Sequence, residues 1–205
     1  MKKLDIIYED KKILVINKEY NVLTIGTDKD KIHNLYHEVR EYLNKKNQKV
    51  FIVHRLDKDT SGVIVFAKDE QTKKRLQDNW ESYTREYRAV VHGKVKDDKK
   101  RIIEYLKENK EHIVYATNKN EGLIAVTNIE VIKRFNKVTY LNVLIETGRN
   151  NQIRVALANL GHPILGDKKY GLKDKAPRMF LHAYKLVIDG KEYIAKLPKE
   201  FNIYE

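Results

Sequence analysis

An α+β fold, with a mixed, largely antiparallel sheet flanked by helices and loops, is the expectation for this 205-residue chain. Three observations predict it. Apolar stretches of strand length outnumber those of helix length, and most follow one another without a helix between them. Only three segments of convincing length read as helices, two of them with apolar residues along a single face. No tract rich in Pro, Gly or Ser divides the chain, so residues 1–205 are expected to form a single domain.

The elements are read in order. Ile6 to Tyr8 and Ile13 to Asn17 form a hairpin around the polar turn Glu9-Asp10-Lys11-Lys12. A helix is predicted from about Asp30 to Lys46, because Ile32, Leu35, Tyr36, Val39, Tyr42 and Leu43 recur at helical spacing. Val50 to Val53 and Val63 to Ala67 are short apolar strands, and Asp69 opens a second helix over Glu70 to Trp80. Strands follow over Arg85–Val91, His112–Thr117, Leu123–Lys133 and Val138–Glu146. Between the first two of these, in the charged stretch Lys96 to Lys110, the spacing of Ile102, Ile103 and Leu106 allows a short helix. A third helix covers about Asn151 to Leu160 and stops at Gly161 and Pro163. The last hairpin joins Phe180–Ile188 to Tyr193–Leu197 through Asp189-Gly190.

Composition narrows the classes of function. Charged residues make up 34% and the hydrophobic set 41%, the balance of a globular protein rather than a disordered one. The absence of Cys removes disulfides, thiolate nucleophiles and Cys-based zinc sites, and fits a reducing compartment. Asp5, Glu9 and Asp10 interrupt the N-terminal stretch too early for a signal peptide. No run approaches the roughly 18 apolar residues of a membrane span. A cytoplasmic protein with no membrane partner is therefore expected. The net charge of +12 draws polyanions, although a lysine-rich solvated surface accounts for it equally well. No GxxxxGK[ST] loop, no strand-borne GxGxxG and no HExxH occurs, and the seven histidines do not cluster at ligand spacings. His162 and His182 are read as hydrogen-bonding or packing residues. No metal or cofactor is expected.

The segment His54-Arg55-Leu56-Asp57-Lys58-Asp59-Thr60-Ser61-Gly62 is polar yet lies between two apolar strands, where a scaffold presents functional side chains. Asp57 and Asp59 share a face in an extended stretch, which suits an acid/base pair or two metal ligands. Asp59-Thr60-Ser61-Gly62 also has the composition of a turn held by its Asp, which leaves Asp57 as the spare carboxylate. Composition alone fits a solvated hairpin loop just as readily.

These nine residues, followed by Ala67-Lys68, closely resemble the signature of the RluA family of RNA pseudouridine synthases. Other segments agree, in the same order. Ile7-Tyr8-Glu9-Asp10 with Val15-Ile16-Asn17-Lys18 resembles the family's N-terminal motif, and Tyr87-Arg88-Ala89-Val90-Val91-His92-Gly93 its tyrosine-bearing strand. Thr147-Gly148-Arg149 with Gln152-Ile153-Arg154 and Gly161-His162-Pro163-Ile164-Leu165-Gly166-Asp167 resembles its third motif, and Arg178 with Leu181-His182-Ala183 its C-terminal strand. The likeness runs from about Ile6 to Pro198.

The resemblance implies the pseudouridine synthase fold with a central catalytic cleft, formed by the whole chain as one catalytic domain without the small RNA-binding S4 module of many relatives. It implies an isomerase that turns uridine into pseudouridine in ribosomal or transfer RNA, without a cofactor, working as a monomer on RNA and not DNA. Asp57 takes the role of catalytic carboxylate. Tyr87 stacks on the target base, Arg154 pairs with Asp57, and Arg55 enters the RNA stack vacated by the flipped uridine. By default Tyr87, one of 13 tyrosines, is a packing residue and Arg154 a solvated charge, so their roles rest on the motifs. Lys168, Lys169, Lys173, Lys175 and Arg178 are candidates for a basic RNA-binding surface.

The chain departs from the family pattern in three places. Lys18-Glu19-Tyr20-Asn21 stands where the family has Lys-Pro-x-Gly, and Asn21 is expected to supply the left-handed turn. Asn151 and Ala156 stand where the third motif has histidines. Two other classes compete with the isomerase: a non-catalytic RNA-binding protein on the same scaffold, and a glycosidase or nuclease built on Asp57 and Asp59.

Overall fold

In the computed structural model, residues 4–26 and 31–204 are described. They fall into two compact units, Met1–Tyr83 with Ala183–Leu197, and Thr84–His182 with Pro198–Glu205.

The first unit is built on a run of buried apolar residues. β1 (Ile6–Glu9) and β2 (Ile13–Lys18) form the expected antiparallel hairpin, and Asp10 closes its turn by accepting from the Lys12 and Ile13 amides at 2.7 and 2.8 Å. β2 pairs along its whole length with β4 (Ser61–Ala67), every residue of which is buried. Such a continuous apolar run marks a strand covered on both faces. The two-residue β3 (Phe51–Ile52) joins the end of β4. β10 (Leu181–Ile188) runs beside β4 and turns back into β11 (Lys191–Ile194). Asp189 at φ 50° and Gly190 at φ 78° make the tight turn, as their residue types predict.

Two helices complete this unit. α1 (Leu35–Asn44) buries Leu35, Val39 and Leu43. It begins later than the apolar spacing suggests, because the Asn34 side chain accepts from His37 N at 3.0 Å and caps it there. Ile32, counted with the apolar face, lies before the cap and is 56% exposed; Asp30, the expected start, lies outside the described residues. α2 (Glu70–Asp78) opens on Asp69 as expected, the carboxylate accepting from Thr72 N at 2.7 Å. A 3-10 turn, Trp80–Ser82, follows it.

The second unit carries the order β5 (Thr84–His92), β9 (Val138–Ile145), β8 (Leu123–Arg134), β6 (Lys99–Glu108), β7 (Val114–Thr117), each pair antiparallel. α3 (Gln152–Asn159) packs on this sheet with Ile153, Val155, Ala156 and Leu157 buried, and ends at Gly161 with φ 83°. The segment Pro163–Leu165 then runs beside β5, His92 N donating to Pro163 O at 2.9 Å and Leu165 N to Val90 O at 2.9 Å. His162 and His182 do pack and hydrogen-bond as read. His162 Nδ1 lies 2.8 Å from His92 O, and His182 is wholly buried with Phe201 6.1 Å away.

The stretch Lys99–Glu108 is a strand, not the short helix its spacing allows. Ile102 and Leu106 are four apart, and four is an even number, so they share a face in a strand as well as in a helix. Ile103 decides between the two: a helical face would bury it, but it points away and is 51% exposed. Cross-strand charge pairs, such as Lys99 with Glu130 at 2.8 Å, supply the remaining register information. Leu106, Val114, Ala125 and Val155 form a small core of their own, with Tyr170 packed against it.

Candidate active site

In the first unit, Arg55 and Asp57 lie on the loop between β3 and β4, on either side of Leu56. Leu56 is buried at 7% exposure, Arg55 is exposed, and Asp57 is half-buried. The apolar Leu56 is thus packed inward, while Arg55 is exposed to solvent.

The loop is held by its backbone. Thr24 Oγ1 donates to Leu56 O at 2.7 Å and accepts from Leu56 N at 3.2 Å, so both polar groups of one residue are satisfied by one hydroxyl. Lys18 is 1% exposed, and its ammonium donates to Val22 O, Glu19 O and Lys58 O at 2.6, 3.0 and 3.2 Å. A buried cation that binds carbonyls on both sides ties the residue after Asp57 to the turn after β2. Asn21, in that turn, has φ 63°, so it takes the left-handed conformation expected of it. Gln77 Nε2 donates to Val53 O at 3.0 Å, and His54 accepts from Val65 N at 3.2 Å while its ring stacks on Trp80 at 4.2 Å.

The turn that follows is closed by Thr60 N donating to Asp57 O at 3.1 Å. The backbone of Asp57 therefore shares the structural duty assigned to the Asp59 turn. Gly62 has φ 119°, and a Cβ there would lie 2.1 Å from Ala183 O. Only glycine fits, which explains the glycine at the end of the segment.

In the second unit, Tyr87 is a half-buried residue of β5, opposite Val143 of β9. Its neighbours Glu86 and Arg88 point to the other face, where Arg88 bonds both Glu86 and Asn142 and stiffens the strand. Arg85, 4% exposed, donates from Nη2 to Glu146 O at 2.7 Å.

Arg154, on α3, is no solvated charge: it is 6% exposed. Its Nε and Nη2 donate to the two oxygens of Asp167 at 2.8 and 2.7 Å, a bidentate fork. Asp167 is 1% exposed and also accepts from the Lys169 and Tyr170 amides at 2.8 and 3.0 Å. Burial works against its ionisation, but the Arg154 bonds and charge, with the two amides, outweigh it and hold the carboxyl below the usual range. The Tyr170 ring lies 5.2 Å from the Arg154 guanidinium carbon. The Tyr170 hydroxyl donates to Asn151 Oδ1 at 3.2 Å and accepts from Val114 N at 2.9 Å. Asn151, one of the two departures from the motif, has φ 50° at the start of α3 and also accepts from Lys169 Nζ at 3.1 Å.

Reading the sequence missed Asp167 and Tyr170 as partners of Arg154. A signal existed: Arg154 lies among Ile153, Val155, Ala156 and Leu157, and a helix apolar on every side buries its lone charge, which then needs a carboxylate. Of the proposed basic surface, Lys168, Lys169, Lys173 and Lys175 are exposed, but Arg178 is not. It is 5% exposed, with its Nε 3.2 Å from Met179 O and its guanidinium carbon 5.7 Å from the Phe201 ring centroid, so it belongs to the core.

Comparison with known proteins identifies the family. The family model described as RNA pseudouridylate synthase matches residues 12–159. The ribosomal large subunit pseudouridine synthase D of Borreliella burgdorferi is 34% identical over 217 residues, covering 97% of this chain and 67% of that protein. Synthase C of Rickettsia bellii is 36% identical, covering 96% and 69%. An uncharacterized RNA pseudouridine synthase of Bacillus subtilis, YhcT, is 36% identical, covering 90% and 63%. The chain thus spans about two thirds of the length of these relatives. Two human structures share the fold: RNA Pseudouridylate Synthase Domain Containing 4, with TM-score 0.81 at 22% identity over 96% of this chain and 89% of that one, and Domain Containing 1, with TM-score 0.79 at 24% identity over 97% and 84%. With its signature loop, tyrosine strand and third motif in order, the chain belongs to the RNA pseudouridylate synthases, in their RluA branch.

Proposed function

We propose that the chain isomerises uridine to pseudouridine in RNA, with Asp57 as the catalytic carboxylate. The observation that carries this is the loop itself: Asp57 is half-buried on a backbone pinned by Thr24, Lys18 and Gly62. A carboxylate positioned in advance loses little on meeting its target.

The reaction breaks the N-glycosidic bond, turns the base and rejoins it through carbon, so the base must first leave the RNA stack. Extrusion costs a few kcal/mol. Stacking on Tyr87 returns roughly 1–3 kcal/mol. The planar, cationic Arg55, exposed two residues from Asp57, fills the vacated slot. Arg154 pairs with Asp57, as the family resemblance implies, and the Asp57 carboxylate does the chemistry. The exposed Lys168, Lys169, Lys173 and Lys175 attract the phosphate backbone. In this reading the whole chain works as one catalytic domain, as a monomer in the cytoplasm, without a cofactor.

Two relatives carry names that place them on the large ribosomal subunit, and ribosomal RNA is the target we propose, with transfer RNA as the alternative. Purified protein is expected to release tritium from RNA containing uridine labelled at C5, and Asp57→Asn to lower that release by at least about 10³-fold. Mapping pseudouridines in total RNA from cells with and without the gene identifies the substrate. No pseudouridine gained or lost in any RNA would sink the proposal.

A further inference from the structure

Arg154 is held on two sides by side chains that the reaction scheme does not use. Asp167 takes its Nε and Nη2 in a fork at 2.8 and 2.7 Å, and the Tyr170 ring lies against it at 5.2 Å. Asp167 is itself immobilised by the amides of Lys169 and Tyr170. Tyr170 is anchored through its hydroxyl to Val114 N and Asn151, and through its ring to the small core of Leu106, Val114, Ala125 and Val155. Together these bonds connect α3, the segment after Gly166, and β7.

A fork along Nε and Nη2 occupies one edge of a guanidinium and fixes the plane and direction of the opposite edge. A solvated arginine samples many rotamers, whereas this one is fixed in one. Such rigidity exceeds what stability alone calls for, since an apolar pair of the same volume often serves a core as well or better. We infer that Asp167 is a positioning residue, which orients Arg154 for its part in the isomerisation, with Tyr170 as its brace. The inference rests on the proposal that Arg154 acts on Asp57.

Asn151 belongs to the same brace. It departs from the motif's histidine, yet its amide oxygen holds the Tyr170 hydroxyl and the Lys169 ammonium.

The test is the kinetics of Asp167→Asn and Asp167→Glu on C5-tritiated RNA, beside Asp57→Asn and with the thermal midpoint of each variant measured. Asp167→Asn keeps the shape and loses the charge; Asp167→Glu keeps the charge pair and displaces the fork. A misplacement of about 1 Å in a catalytic group costs about 10²-fold. A fall of about 10–100-fold in kcat, with KM for RNA within twofold, is therefore expected for both. Wild-type kcat in both variants, or a rise in KM alone, overturns the inference. If Asp167→Asn does not fold, Asp167→Glu carries the test by itself. Full activity of Asp57→Asn defeats the functional proposal, whereas an inactive Asp57→Asn beside fully active Asp167 variants defeats only this inference. Independently of turnover, the Arg154 Nε–H signal in ¹⁵N-labelled wild-type protein, assigned by its loss in Arg154→Lys, is expected to exchange slowly. Rapid exchange contradicts the fork.

Discussion

The loop around Asp57 and the helix that carries Arg154 solve one problem in opposite ways. The loop has its backbone fixed around the residues proposed to act, through Thr24, Lys18 and the close approach at Gly62. The helix buries the functional side chain and fixes it directly, through Asp167 and Tyr170. In the first case the residues that hold the backbone differ from the one proposed to do the chemistry. In the second, the guanidinium proposed to act is itself held by the fold.

The comparison breaks most visibly at Arg154. Arg154→Met leaves Asp167 buried without its cation, and a loss of about 3–5 kcal/mol in unfolding free energy is expected by urea titration. A smaller effect comes from Gly62→Ala, where the added methyl meets Ala183 O at 2.1 Å in a left-handed backbone. Strand β4 must shift, and a loss of about 2–4 kcal/mol is expected, with turnover falling alongside.

These two positions were not equally legible. The loop declared itself, because a polar segment between apolar strands needs a reason and its residues stand in an uninterrupted motif. Its glycine and the turn at Asn21 were also readable, since few residue types accept a positive φ. The Arg154 fork was not, because Asp167 is 13 residues away and nothing in local spacing links an arginine to its carboxylate. Arg178 misled for the same reason: a cation among lysines reads as surface until the fold closes over it. The strand Lys99–Glu108 misled differently, since an i, i+4 apolar pair satisfies both periodicities and the tie is settled by pairing with β8.

The contrast is sharpened by a milder change beneath the loop. Thr24→Val removes the hydroxyl that serves both polar groups of Leu56, and a loss of about 1–2 kcal/mol is expected in the same titration. Because that hydroxyl fixes the backbone next to Asp57, kcat is expected to fall further than this modest destabilisation suggests.

The smallest effect concerns acid. Glu9, on β1, binds the buried Lys68 at 2.7 Å, with Tyr42 at 2.7 Å and Lys46 at 3.0 Å. Burial opposes its ionisation, but these partners outweigh it and hold its pKa at about 2, below the ordinary 4.5. A carboxylate depressed by folding adds stability above its unfolded pKa and loses it as pH falls through the folded value. By urea titration, the loss between about pH 5 and pH 2 is therefore expected to be larger in wild-type protein than in Glu9→Gln, by an amount on the order of 1 kcal/mol.

The central claim is that Asp57 is the catalytic carboxylate. It is tested most directly by measuring tritium release and the thermal midpoint of Asp57→Asn in the same preparation. The account predicts release at least about 10³-fold below wild type from a variant that still unfolds cooperatively. Turnover near the wild-type rate would contradict it, as would a loss of activity explained by a collapsed midpoint.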